Sequence, residues 1–238
     1  MDTSDPTPRD AANWARKSEA LKVGDLPAEA VNLNVEGRRV VGPLQGFGQL
    51  WQKTYRLRLE GCAATPEEVV AAWKEHFPEF QPPQNRFFPS VAGVAPGEVV
   101  LINASLQGMP VQTGVMVLYA DEVSFTLMTP EGHPESGWVT FSAWEEQGCT
   151  IAQVQSMARA NDPIYEIGFA LGGSAAQEAI WRHVLLSLAA HHGVTEQPVQ
   201  FEKQCVDRQL QWDQAGNIRH NAAIRSLLYA LGRPFRRN

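Results

Sequence analysis

The sequence predicts an α+β domain in which a curved antiparallel sheet of about six or seven strands wraps around a long C-terminal helix. Three observations lead there. A capped helix opens at Thr65, strand-like segments then run unbroken from about Glu98 to Met157, and a second capped helix spans Ser174 to His192. Tight connections such as Asp121-Glu122 and Glu146-Gln147-Gly148 force neighbouring strands to be antiparallel. A helix that follows such a meander buries its apolar stripe against the sheet, and a cavity can lie between them.

The 238 residues divide by pattern into an arm (1–49), the sheet-and-helix domain (50–193) and an extension (194–238). In the arm, Pro6, Pro8 and Pro27 flank one helical stretch, about Asp10–Leu21, with Trp14 and Leu21 as anchors. Val31, Leu33 and Val35 alternate with polar residues, which reads as a short strand. Pro43 to Gly48 reads as a loop.

Trp51–Glu60 is the first clear strand, with Lys53, Tyr55, Leu57 and Leu59 on one face. Thr65, Pro66 and Glu68 form the start of a helix: an N-cap, a proline at the first helical position and the glutamate of a capping box. Val69, Val70, Trp73 and Phe77 line its face, and Pro78 stops it. Pro82 to Pro89 reads as irregular and aromatic. Period two then marks Glu98–Ser105, Val111–Ala120, Val123–Pro130, Gly137–Glu145 and Cys149–Met157, with Tyr165–Leu171 as a further strand. Asn161-Asp162-Pro163 reads as a turn. Ser174 and Gln177 offer a second capping box, and Ile180, Trp181, Val184, Leu185 and Leu188 give the following helix its stripe. In the extension, Val199–Asp207 and Leu210–Trp212 suggest a hairpin, and Ala222–Leu231 a helix.

Composition excludes several function classes. Hydrophobic residues make up 44% and charged residues 19%, as in an ordinary globular chain. No apolar run reaches the roughly 20 residues of a membrane span. Met1 to Asp10 is acidic and proline-bearing rather than a signal peptide, so the expected location is cytoplasmic. Cys62, Cys149 and Cys205 are three and far apart, which supports neither a disulfide framework nor a zinc site.

The net charge is −6, yet Arg219, Arg225, Arg233, Arg236 and Arg237 follow one another with no acid between them. Without those five the chain stands near −11, which does not suit a nucleic acid partner. The basic end could dock on the acidic body, on an acidic partner or on phosphates.

No metal or cofactor is expected. His191 and His192 are adjacent on a helix and point about 100° apart, so they suit the helix C-terminus rather than one ion. Gly172-Gly173 lacks the spacing and lysine of a phosphate loop, and no nucleophile elbow is present. Two constellations remain. His133 stands between Glu131 and Glu135 on a connection between strands, where a carboxylate could tune it for proton transfer; the same residues also suit a rigid turn. Met116, Phe125, Trp138, Trp144, Trp181 and Leu185, with Met128, could floor an apolar pocket or fill a core. Tyr165-Glu166 is a further polar candidate.

From Leu50 to Gly193 the order of elements resembles the START-related, or SRPBCC, helix-grip superfamily. Gly132-His133-Pro134-Glu135, Gly137 and Phe141-Ser142 are similar to a stretch in bacterial members without an assigned activity. So are Ser124-Phe125-Thr126 with Thr129-Pro130, and Arg159 to Pro163. The resemblance transfers no catalytic residue. It implies a cavity for a hydrophobic or amphipathic small molecule, lipid-like or polyketide-like. About fifty residues before the grip and forty-five after it fall outside the resemblance and could cover the cavity or make a homodimer contact. Three functions follow as expectations: a small-molecule binder, a cyclase- or hydrolase-type enzyme using His133, and an interaction protein with a filled core.

Overall fold

The computed structural model describes residues 11–232 apart from 26, 28 and 107. One antiparallel sheet of eight strands organises it, in the order β2-β3-β4-β5-β6-β7-β1-β8. The strands are β1 (Leu50–Arg58), β2 (Asn85–Phe88), β3 (Val99–Leu106), β4 (Met109–Ala120), β5 (Ser124–Met128), β6 (Glu135–Glu146), β7 (Cys149–Ala160) and β8 (Gln200–Asp207). The helices are α1 (Pro66–Glu75), α2 (Pro163–Gly168), α3 (Ser174–His191) and α4 (Ala222–Gly232). The curved sheet embraces α3, which packs on β1 and β7, while α1 packs on β6 and β7.

α1 forms as its sequence dictates. Thr65 Oγ1 accepts from the Glu68 N–H at 3.3 Å, and Glu68 Oε2 accepts from the Thr65 N–H at 2.8 Å. Its apolar face drives Trp73 into an aromatic core with Phe77, Phe125 and Phe141. Phe125 and Phe141 stack at 4.6 Å, and Trp73 meets Phe141 edge-on at 5.2 Å. Such offset and edge contacts add to burial, and they fill the end of the sheet under α1.

Elsewhere local chemistry redirects the chain. The expected helix over Asp10–Leu21 is, among the described residues, only a 3-10 turn, Ala11–Asn13; Trp14 then bridges Tyr119 of β4, and Leu21 is buried against the outer face. Val31–Val35 is no strand, because Asn32 Oδ1 accepts from the Glu36 N–H at 3.2 Å and Gly37 turns at φ +74°. The prolines around Asn85–Phe88 bracket a short edge strand rather than a loop, with Phe87 opposite Ile102. Tyr165–Leu171 is helical. Asp162 Oδ1 caps it by accepting from the N–H groups of Ile164 and Tyr165, and Pro163 takes the first helical position.

That helix runs on through a π-type segment, Phe169–Gly173, and bends where Gly172 takes φ +117°. Ser174 is therefore already inside helical backbone, and the expected Ser174–Gln177 capping box does not form. Nor does β8 make a hairpin with Leu210–Trp212. It joins the sheet edge beside β1, and Trp212–His220 is 3-10 helix. α4 occupies the expected place, packing on β4 with Ala222, Ala223 and Ser226 buried. The three cysteines are free thiols. No helix among the described residues is long and apolar enough to cross a membrane.

Candidate functional site

Strand alternation assigns the two faces of the sheet. Lys53 and Tyr55 of β1, Val115 of β4, Leu127 of β5, Val139 of β6, and Ser156 and Ala158 of β7 face α3. Toward the aromatic core this face is packed solid. Toward the β2–β3–β4 end it leaves an apolar cavity of about 120 Å³, closed by Phe169, Gly173, Gln177, Ile180 and Trp181. Two buried polar atoms belong to its wall residues, Thr113 Oγ1 and Trp181 Nε1, and neither has a hydrogen-bond partner among the described residues.

A second chamber of about 160 Å³ adjoins it. Glu135, Ser156, Ala158 and Phe169 belong to the walls of both, and the second chamber adds Lys53, Ser174, Lys203, Gln49, Trp51 and Glu166. Lys53 is 5% exposed. Its Nζ donates to Gln177 Oε1 at 2.6 Å and to Ser174 Oγ at 3.1 Å. Burial holds the Lys53 ammonium below its usual range, opposed by the nearby Glu135 charge. Burial likewise raises Glu135, opposed by Lys53 and by the Gln177 amide.

His133 lies on the cavity wall beside this polar group. Its Nδ1 lies 3.0 Å from the Glu135 backbone nitrogen and 3.1 Å from the Glu135 carbonyl oxygen, so the Glu135 backbone fixes the direction of the ring. Burial pushes the imidazole down to about 4, so it is neutral at physiological pH. Glu131 points elsewhere and pairs with Arg39.

The remaining expected site residues are scattered. Trp181 lines the cavity. Trp138 is part of the wall by position, but it pairs between Met128 and Met157 on the outer face and is 37% exposed. Met116 is buried on the outer side with Leu21, Val35 and Phe88. Phe125 and Leu185 are packed in the core, and neither they nor Trp144 line the cavity. Of the polar candidates, Tyr165 accepts the Ala223 N–H at 2.9 Å, while Glu166 reaches the second chamber. Lys53, Ser174 and Gln177 were missed as site residues. One signal was present: a lysine continuing the apolar face of Trp51–Glu60. No group of three or more His, Cys, Asp or Glu among the described residues could hold a metal.

The architecture is an antiparallel sheet closed around one long helix, with an apolar cavity between them. No family model matches the chain, and no curated protein matches it. Solved structures do. A START superfamily protein from Mycobacterium smegmatis is 18% identical, covering 61% of this chain and 98% of that one, with a TM-score of 0.42. The di-domain ARO/CYC StfQ from the steffimycin biosynthetic pathway is 11% identical over 61% of this chain, with a TM-score of 0.47. This chain spans about half of StfQ, 51%. The major latex-like protein 151 of Panax ginseng is 16% identical over 61% of this chain and 99% of that one, with a TM-score of 0.35. At these identities the likeness is one of fold alone.

Proposed function

We propose that the protein binds a hydrophobic or amphipathic small molecule, lipid-like or polyketide-like, between the sheet and α3. The observation that supports this most is the junction of an apolar cavity with a polar cluster, Lys53–Gln177–Glu135, that the core does not need for packing. Pockets that hold small molecules combine apolar walls with a few placed polar groups in this way. Native mass spectrometry of the purified protein tests it. A mass increment lost on organic extraction supports the reading. A bare mass, together with no binding from a panel of lipids and polycyclic aromatics, counts against it.

A second reading, an acid–base enzyme of the cyclase or hydrolase kind, draws on His133. A neutral imidazole fixed through Nδ1 beside a carboxyl of raised pKa is a workable pair for moving a proton. Its test needs a substrate found by the first experiment. Turnover that survives His133→Asn and Glu135→Gln unchanged would remove this reading.

A further inference from the structure

Lys53 and Lys203 stand directly opposite each other across β1 and β8, on the face turned toward α3. Like charges in such a cross-strand pair repel and cost stability. Both ammonium groups nevertheless converge on one oxygen: Ser174 Oγ lies 3.1 Å from Lys53 Nζ and 3.4 Å from Lys203 Nζ. Neither lysine is in an ion pair among the described residues. Lys203 Nζ is held 4.4 Å over the Trp51 ring, which fixes its direction. The two lysines line the second chamber, and that chamber shares a wall with the apolar cavity.

We propose that the second chamber is a head-group subsite for an oxyanion, and that the ligand is an amphiphile whose apolar body fills the cavity while its carboxylate or phosphate lies between Lys53 and Lys203. This rests on the small-molecule reading above and names the chemical class of the ligand. The carboxylates in the chamber wall are already engaged. Glu135 Oε2 accepts from Gln177 Nε2 at 2.5 Å, and Glu166 Oε1 accepts from the Gln49 N–H at 3.5 Å. Ser174 reaches Glu178 Oε1 at 3.5 Å, so its hydroxyl proton has an acceptor while its lone pairs face the lysines.

Isothermal titration of the full chain with decanoate, decyl phosphate, decanol and decylammonium tests the assignment. At least one of the two anions is expected to bind about tenfold tighter than decanol, with decylammonium weakest. Whichever anion binds tighter identifies the head group as carboxylate or phosphate. Lys203→Met, on the exposed edge strand, is expected to remove most of that advantage, and Lys53→Met should do the same if circular dichroism shows it folded. Equal binding of decanol and both anions overturns the head-group assignment and leaves the cavity reading standing. So does an anion preference that survives Lys203→Met. Failure of all four probes to bind overturns the head-group assignment, and together with a bare mass in native mass spectrometry and no binding from the wider panel it overturns the cavity reading as well.

Discussion

Gln177 joins Lys53 to Glu135: its Oε1 accepts from the ammonium at 2.6 Å, and its Nε2 donates to the carboxylate at 2.5 Å. One amide on α3 thus spans a buried lysine on β1 and a half-buried carboxyl on β6. Leucine at this position would leave Glu135 Oε2 without its donor and Lys53 with Ser174 alone. Gln177→Leu is expected to lower stability by about 2 kcal/mol. Urea titration reads this as a lower midpoint with an unchanged slope.

The pH dependence of stability should carry the signature of His133. Its folded value of about 4 lies below the ordinary 6.5, so between the two the unfolded chain binds the extra proton. Its contribution is intact above about pH 6.5 and drains away as pH falls toward 4. Glu135 acts in the opposite sense: its raised folded value gives stability at low pH that is lost as pH rises. His133→Asn keeps a polar partner for the Glu135 backbone and isolates the histidine. Between pH 7 and 4.5 the wild type should lose about 2 kcal/mol more than the variant. Parallel curves for the two proteins would contradict the assignment.

Ala158 belongs to the wall common to both chambers. A leucine there projects into free space rather than into packed atoms. Ala158→Leu should fold normally yet bind an amphiphile at least about tenfold more weakly, because the bound body and head can no longer lie in both chambers. The comparison is a calorimetric titration beside a thermal melt. Unchanged affinity would separate the two chambers functionally.

Gly132 sits at φ +86°, and a Cβ there would lie 2.1 Å from the His220 carbonyl oxygen. Its own carbonyl accepts from the Ala222 N–H at 2.9 Å, which ties the His133 loop to the start of α4. Gly132→Ala should cost about 3 kcal/mol or more. Limited proteolysis should then cut ahead of α4 sooner than in the wild type.

The elements legible in the sequence were those whose signals are local. Thr65, Pro66 and Glu68 specify one helix start, and alternation along β3 to β7 has a single period. What escaped depended on partners far away in sequence. Asn85–Phe88 becomes a strand only because β3 offers an edge to pair with, and the expected strand over Val199–Asp207 finds its partner in β1 rather than in Leu210–Trp212. Ser174 and Gln177 have the composition of a cap, but the helix entering from Asp162 leaves no terminus to cap, and Lys53 takes their oxygens instead. The large side chains expected in a pocket divided by parity. Met116, Trp138 and Trp144 fall on the outer face, and Phe125 was claimed by stacking on Phe141. In the site, His133 was visible from its loop, whereas Lys53 appeared only as one polar residue in an apolar register.

The place of β1 in the sheet also bears on how the chain comes to be folded during synthesis. β1 is made early, yet its two neighbours are β7, whose paired residues run from Ile151 to Ala158, and β8, from Gln200 to Asp207. One of its hydrogen-bonding edges stays unmet until the ribosome has passed residue 158, and the other until it has passed residue 207. The meander β3 to β7 can assemble from consecutive hairpins, but closing it with β1 requires long loops to be drawn together. A nascent chain stopped before β8 would expose the far edge of β1 to other chains. The last strand to emerge is thus the one that seals the first.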